Sequence, residues 1–154
     1  MKHPHQQAFR SNSVAIEVRM RQVSLSSIIF LLFNVANMNI VQIQKFCASL
    51  PHALSERKWE IDYVYTIGSK MFAVVFVDRT GKPHVSFKVD DDLFLQYADR
   101  PGFIPAPYLA RAKWVQVKDL KQIGDAELRA LIQRSYYIVA AKLTKKLRVA
   151  LALL

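Results

Sequence analysis

Cysteine is almost absent from this 154-residue chain. Cys47 stands alone, which excludes an intramolecular disulfide and any cysteine-based zinc site. Glycine is scarce too, with four residues, and no glycine-rich phosphate loop, HExxH pair or nucleophile elbow occurs. Acidic residues are outnumbered 12 to 22 by lysine and arginine, giving a formal net charge of +10 and a pI near 9.9. That balance favours anionic partners by long-range attraction, nucleic acid before anionic membrane, although solvated surface lysines account for much basic composition. Long apolar runs are missing: the most hydrophobic stretch, Ile28-Ile29-Phe30-Leu31-Leu32-Phe33, is too short to span a bilayer as a helix. Internal repeats and low-complexity segments are also lacking.

What is present suits one domain. Hydrophobic residues make up 52% of the chain, enough for a packed core. Residues 1–37 read as an extension, with His3, Pro4, His5 and serine-rich stretches ahead of the apolar run. Arg19 and Arg21 before that run give a signal-like alternative, weakened by the long n-region and by Asn34 near the cleavage position after Ala36. The expectation is that Met38 is the true start, that residues 38–150 form the domain and that residues 151–154 are a tail. A lone cysteine on the apolar side of a predicted helix fits a buried thiol and a reducing, cytoplasmic compartment.

From Met38 onward the pattern is regular. Asn39 is a plausible N-cap, Ile43, Phe46, Cys47 and Leu50 follow at helical spacing, and Pro51 stops the helix. Ile61, Tyr63, Tyr65 and Ile67 alternate with polar residues as a strand, Gly68-Ser69 turns, and Met71 to Val77 is a central strand. After the Arg79-Thr80-Gly81-Lys82 turn, a third strand points Val85, Phe87 and Val89 inward and His84, Ser86 and Lys88 outward. Asp90-Asp91-Asp92 is expected to cap a short helix reaching about Asp99, in preference to a cation site. Residues 103–113 form a structured loop with at most one short strand, and Trp114 to Val117 is the last strand. The longest helix starts near Gly124 and reaches about Lys145. Leu128, Leu131, Ile132, Ser135, Val139 and Leu143 form its stripe. The order predicts an α+β fold of two layers, an antiparallel sheet with helices on one face and the other face open.

No convergent acid–base groups appear, so an enzyme is not expected. No cofactor, metal or small-molecule substrate is implied, and no membrane association. Aromatic and basic residues interleave from Phe103 through Tyr108 and Arg111 to Lys113 and Trp114, a composition that suits phosphates and bases together. The competing account is a loop pinned by its buried rings. The basic turns add Lys70, Arg79 and Lys82, as groove-reaching tips or as ordinary solvated turns. His84, Ser86 and Lys88 form a trio able to take an anion, or plain strand polarity.

Several segments together resemble the MmcQ/YjbR family over residues 38–147. They are Leu50-Pro51-His52-Ala53, Glu56, Lys58-Trp59, Gly68-Ser69-Lys70-Met71-Phe72, Ser86-Phe87-Lys88 and Pro101-Gly102-Phe103. Pro105-Ala106-Pro107-Tyr108, Lys113-Trp114 and Ser135-Tyr136 through Ala141-Lys142-Leu143 complete the set. The resemblance implies an α-β-β-β-α-β-β-α, CyaY-like fold and a double-wing DNA-binding role. On this chain the wings map to the turns bearing Lys70 and Arg79 to Lys82, helped by Lys88, Arg111 and Lys113. Frataxins share that fold and bind iron on an acidic first helix. Gln42, Gln44 and Lys45 stand on this one, so iron does not carry over. The alternative to DNA is a protein-interaction or chaperone-like module using the open sheet face, as a homodimer or with another partner.

Overall fold

In the computed structural model, residues 37–58 and 62–153 are described, and they belong to one compact unit, Asn37–Leu154. The extension before Asn37, its signal-like reading, the alternation at Ile61 and the resemblance at Trp59 lie outside the described residues.

The elements run α1 (Ile40–Ser49), β1 (Leu54–Lys58), β2 (Asp62–Ile67), β3 (Lys70–Val77), β4 (Pro83–Lys88), α2 (Phe94–Ala98), β5 (Phe103–Pro105), β6 (Trp114–Val117), α3 (Asp125–Ala141) and α4 (Lys145–Ala150). Short 3-10 turns at Ala110–Ala112 and Leu120–Gln122 flank β6. The strands form one antiparallel sheet in the order β1-β2-β3-β4-β6-β5. Hairpins join the first four strands, and α2 intervenes before β5 and β6 close the far edge.

α1 begins with a reciprocal cap: the Asn39 side chain accepts from the Gln42 amide, and Gln42 Oε1 accepts from the Asn39 amide. Its buried Ile43 and Cys47 join Leu128, Ile132, Tyr136 and Val139 of α3 against Tyr65, Ile67, Val75, Val85, Phe87 and Val115 of the sheet. Burial pushes the Cys47 thiol up to about 12, leaving it a protonated apolar group.

β3 carries one extra residue. Tyr65 pairs with Ala73 but Thr66 with Met71, so Phe72 is bulged and follows Ala73 onto the core side. Its ring stands edge-on to Tyr136 at 5.4 Å. The β3–β4 ladder stops at Ala73–Phe87, and Ser135 of α3 takes over. Its hydroxyl donates to the Phe72 carbonyl at 2.6 Å and accepts from the Lys88 amide at 2.9 Å. A serine on the apolar stripe is thus the link between helix and sheet.

Three details differ from the sequence expectation. β1 is an additional strand, and its burial is slight because it forms the exposed edge. Asp90-Asp91-Asp92 makes no helix cap. α2 starts after Leu93 without a side-chain cap, and Asp90 instead binds the Arg134 guanidinium through both oxygens, at 2.7 and 2.9 Å. α3 stops at Ala141, and Thr144 caps a separate α4 by accepting from the Leu147 amide. Tyr136 is buried among the core residues, its hydroxyl donating to the Pro51 carbonyl at 2.9 Å.

Candidate functional site

Antiparallel register fixes which side chains share the face away from the core. Val64, Val74, Ser86, Gln116 and Ile104 lie in one row across the sheet, by their pairing. The neighbouring rows hold Phe76 with His84 and Lys88 with Trp114. None of the α-helices lies on this face among the described residues, yet much of it is not bare. His84, Ser86, Lys88, Trp114 and Gln116 are all buried. The anion-binding trio therefore does not form. His84 Nε2 donates to the Asp78 carboxylate at 2.8 Å and the imidazole stacks on Phe76 at 5.0 Å. The Lys88 ammonium donates to the Ala112 carbonyl and lies 3.9 Å from Asp91. Burial first, and Lys142 next, hold its pKa below the usual lysine range. Lys88 and Trp114 are accordingly framework residues, not surface contacts.

A cleft of about 320 Å³ opens on this face, between the sheet and the loop before the Ala110–Ala112 turn. Val74, Phe76 and Met71 line its floor with Ser86 and Gln116, and Ala106, Pro107 and Leu109 form the loop wall. Tyr108 stands at its rim, fully exposed, with a left-handed backbone (φ 63°). A non-glycine residue in that region costs about 1–2 kcal/mol. The conformation is imposed by its neighbours, because Ala106 donates to the Trp114 carbonyl and Trp114 to the Leu109 carbonyl. Asp62 borders the cleft, and burial raises its carboxyl pKa.

The remaining sequence candidates separate into two groups. β3 begins at Lys70 and ends at Val77, so the Gly68-Ser69 turn and the Arg79 to Lys82 turn lie at opposite ends of the strand, roughly 25 Å apart at strand rise. Lys70 shares its end with Lys88, with the start of β6 and so with Arg111 and Lys113. Lys113 sits 5.0 Å over the Phe94 ring. Arg79 and Lys82 are joined at the other end by Lys118 and Lys121, the last two lining one depression with Lys82. The Asp78 carboxylate organises the second turn, accepting from the Thr80 amide, the Thr80 hydroxyl and the Lys82 amide. Those bonds and the one from His84, the largest contributor, hold its pKa well below the usual carboxylate range.

Sequence reasoning missed Gln116. Its signal was the period-2 alternation of Trp114-Val115-Gln116-Val117, which puts the amide beside Ser86 once β6 pairs with β4. Among the described residues, no three His, Cys, Asp or Glu side chains gather as metal ligands. No described helix is long and apolar enough to cross a membrane.

The fold and this face define an α+β protein built on a six-stranded open antiparallel sheet. A family model described as YjbR matches residues 48–138, and the chain belongs to that family. Among solved structures it is similar to a Deinococcus radiodurans protein described as having a DUF419 domain. Identity is 25% and the TM-score 0.64, over 74% of this chain and 88% of that one. A Pseudomonas syringae protein shares the fold at 19% identity and a TM-score of 0.58, over 66% of this chain and 99% of that one. No curated protein matches the chain.

Proposed function

We propose that the protein is a non-catalytic nucleic-acid-binding module, with DNA as its partner, that holds the phosphate backbone through cations at both ends of the sheet. The observation that carries this reading is the set of exposed cations without an acidic partner at both ends of the sheet. Arg100, Arg129 and Arg134 are engaged by Glu127, Asp125 and Asp90, while Lys45, Lys142, Lys145 and Lys146, on and beside the helices, are exposed without an acidic partner among the described residues. Lys70, Arg79, Lys82, Arg111 and Lys118 are exposed and have no acidic partner among the described residues. Exposed cations of that kind exchange condensed counterions for phosphates, the main source of sequence-tolerant affinity. Because the two turns sit at opposite ends, the polymer crosses the sheet from end to end.

The test is titration of labelled DNA with the full chain at several salt concentrations. Five phosphate contacts on a single strand give a log–log salt slope of about −3.5, so affinity falls about 100-fold between about 50 and 200 mM salt. Changing Lys70, Lys82 and Arg111 together to glutamate is expected to abolish most binding while the melting transition stays in place. Absence of binding at low salt in the parent protein refutes the reading.

A second reading, a protein-interaction module, is favoured by Tyr108, exposed beside an apolar cleft. Its signature is a homodimer or complex insensitive to salt and lost with Tyr108→Ala, measured by sedimentation velocity.

A further inference from the structure

We infer that the cleft between the sheet and the Ala106–Leu109 loop receives one unpaired nucleobase of a single strand, stacked against Tyr108 and Phe76 and read by the Gln116 amide and the Ser86 hydroxyl. The inference deepens the nucleic-acid reading and rests on it.

Its first support is unspent hydrogen-bonding capacity. Ser86 and Gln116 are paired across β4 and β6 and are 4% and 6% exposed, and neither side chain has a hydrogen-bond partner among the described residues. Their polar atoms keep access to the cleft, and an amide brings two donors and an acceptor. Both residues line the cleft, so a ligand there can reach their polar groups.

The second support is shape and surface. Walls of Val74, Phe76, Pro107 and Leu109 around two polar groups suit a flat heteroaromatic ring with hydrogen-bonding edges. Asp62 at the border accepts from an exocyclic amino group, as cytosine and adenine present. The third support is placement. The cleft floor runs along β3 from Met71 to Phe76, between the Lys70 end and the Arg79–Lys82 end. A strand whose phosphates reach both groups of cations passes over this cleft. A base inside a duplex is stacked and paired and does not enter, so the site selects single strands.

The experiment uses the full chain and a fluorescein-labelled single-stranded oligodeoxycytidylate at low salt, read by anisotropy. Its comparison strand has the same backbone with abasic sites throughout. The abasic strand is expected to bind about tenfold or more weaker, the usual size of lost base stacking. Gln116→Leu and Tyr108→Ala each weaken the parent strand but not the abasic one. Tyr108→Ala is the safer variant, since this side chain is fully exposed and its removal leaves the core intact. If both strands bind equally, or the variants weaken both alike, the base site is refuted while phosphate binding stands. If neither strand binds, the nucleic-acid reading falls and the base site with it.

Discussion

Replacing Ser135 by alanine removes a single oxygen, and the structure gives that oxygen two clients. The bulge at Phe72 interrupts the β3–β4 ladder one pair early, which leaves the Phe72 carbonyl and the Lys88 amide without each other. Ser135 Oγ serves both, at 2.6 and 2.9 Å, in a fully buried position. In Ser135→Ala both backbone groups are orphaned in the core. An unsatisfied buried group costs about 1–3 kcal/mol, so the loss is about 3 kcal/mol after some relaxation. Against a total stability of about 5–15 kcal/mol this is a large fraction. In urea, with a slope of about 1–3 kcal/mol/M, the midpoint falls by about 1–3 M while the slope is unchanged. Hydrogen exchange locates the effect, because the Lys88 amide should lose protection well before the amides of β4 that remain in the ladder. A stability change below about 0.5 kcal/mol, the range of inert surface substitutions, refutes the bridging role. So would a Lys88 amide as protected in the variant as in the parent.

Gly68→Ala and Gly81→Ala form a matched pair. Both glycines have positive φ (53° and 83°), but a Cβ on Gly68 would come within 2.8 Å of Leu147 and 2.9 Å of Leu143, whereas Gly81 faces open space. Each variant loses about 1–2 kcal/mol from its backbone conformation, and thermal melts should show the larger loss at Gly68; equal losses would mean α4 does not press on this turn. The Asp78 carboxyl, held low by its bonds from His84, Thr80 and Lys82, binds protons more weakly folded than unfolded. Its contribution is complete above the unfolded value of about 4 and is lost as pH falls below it. Asp78→Asn should therefore flatten the acid limb of a stability-against-pH curve, and an unchanged limb would contradict this.

The residues that make up regular elements were legible because periodicity reports burial directly. Ile43 and Cys47 mark the buried stripe of α1, and Val85 and Phe87 the inner side of β4, as their spacing predicts. What stayed hidden depended on partners distant in sequence. β1 lacks an apolar alternation because an edge strand needs none. Asp90 looked like a cap, and only the approach of Arg134, 44 residues away, reveals a salt bridge. The outward side of β4 looked solvated because His84, Ser86 and Lys88 are polar. Their burial became visible once Asp78, Gln116 and the Ala112 carbonyl were placed beside them.

That last point also decides where function can sit. A polar residue buried on a sheet is costly unless bonded. His84 Nε2 and the Lys88 ammonium have protein partners and help to hold the turn at Asp78 and the Ala110–Ala112 segment in place, while His84 Nδ1 is buried without one. Ser86 and Gln116, directly paired across β4 and β6, have no side-chain partner among the described residues. The cleft opens over the second pair, so their polar groups are reachable from solvent there. With exposed lysines and arginines at both ends of that opening, a polyanion is the ligand class whose charge and hydrogen-bonding edges answer both features at once.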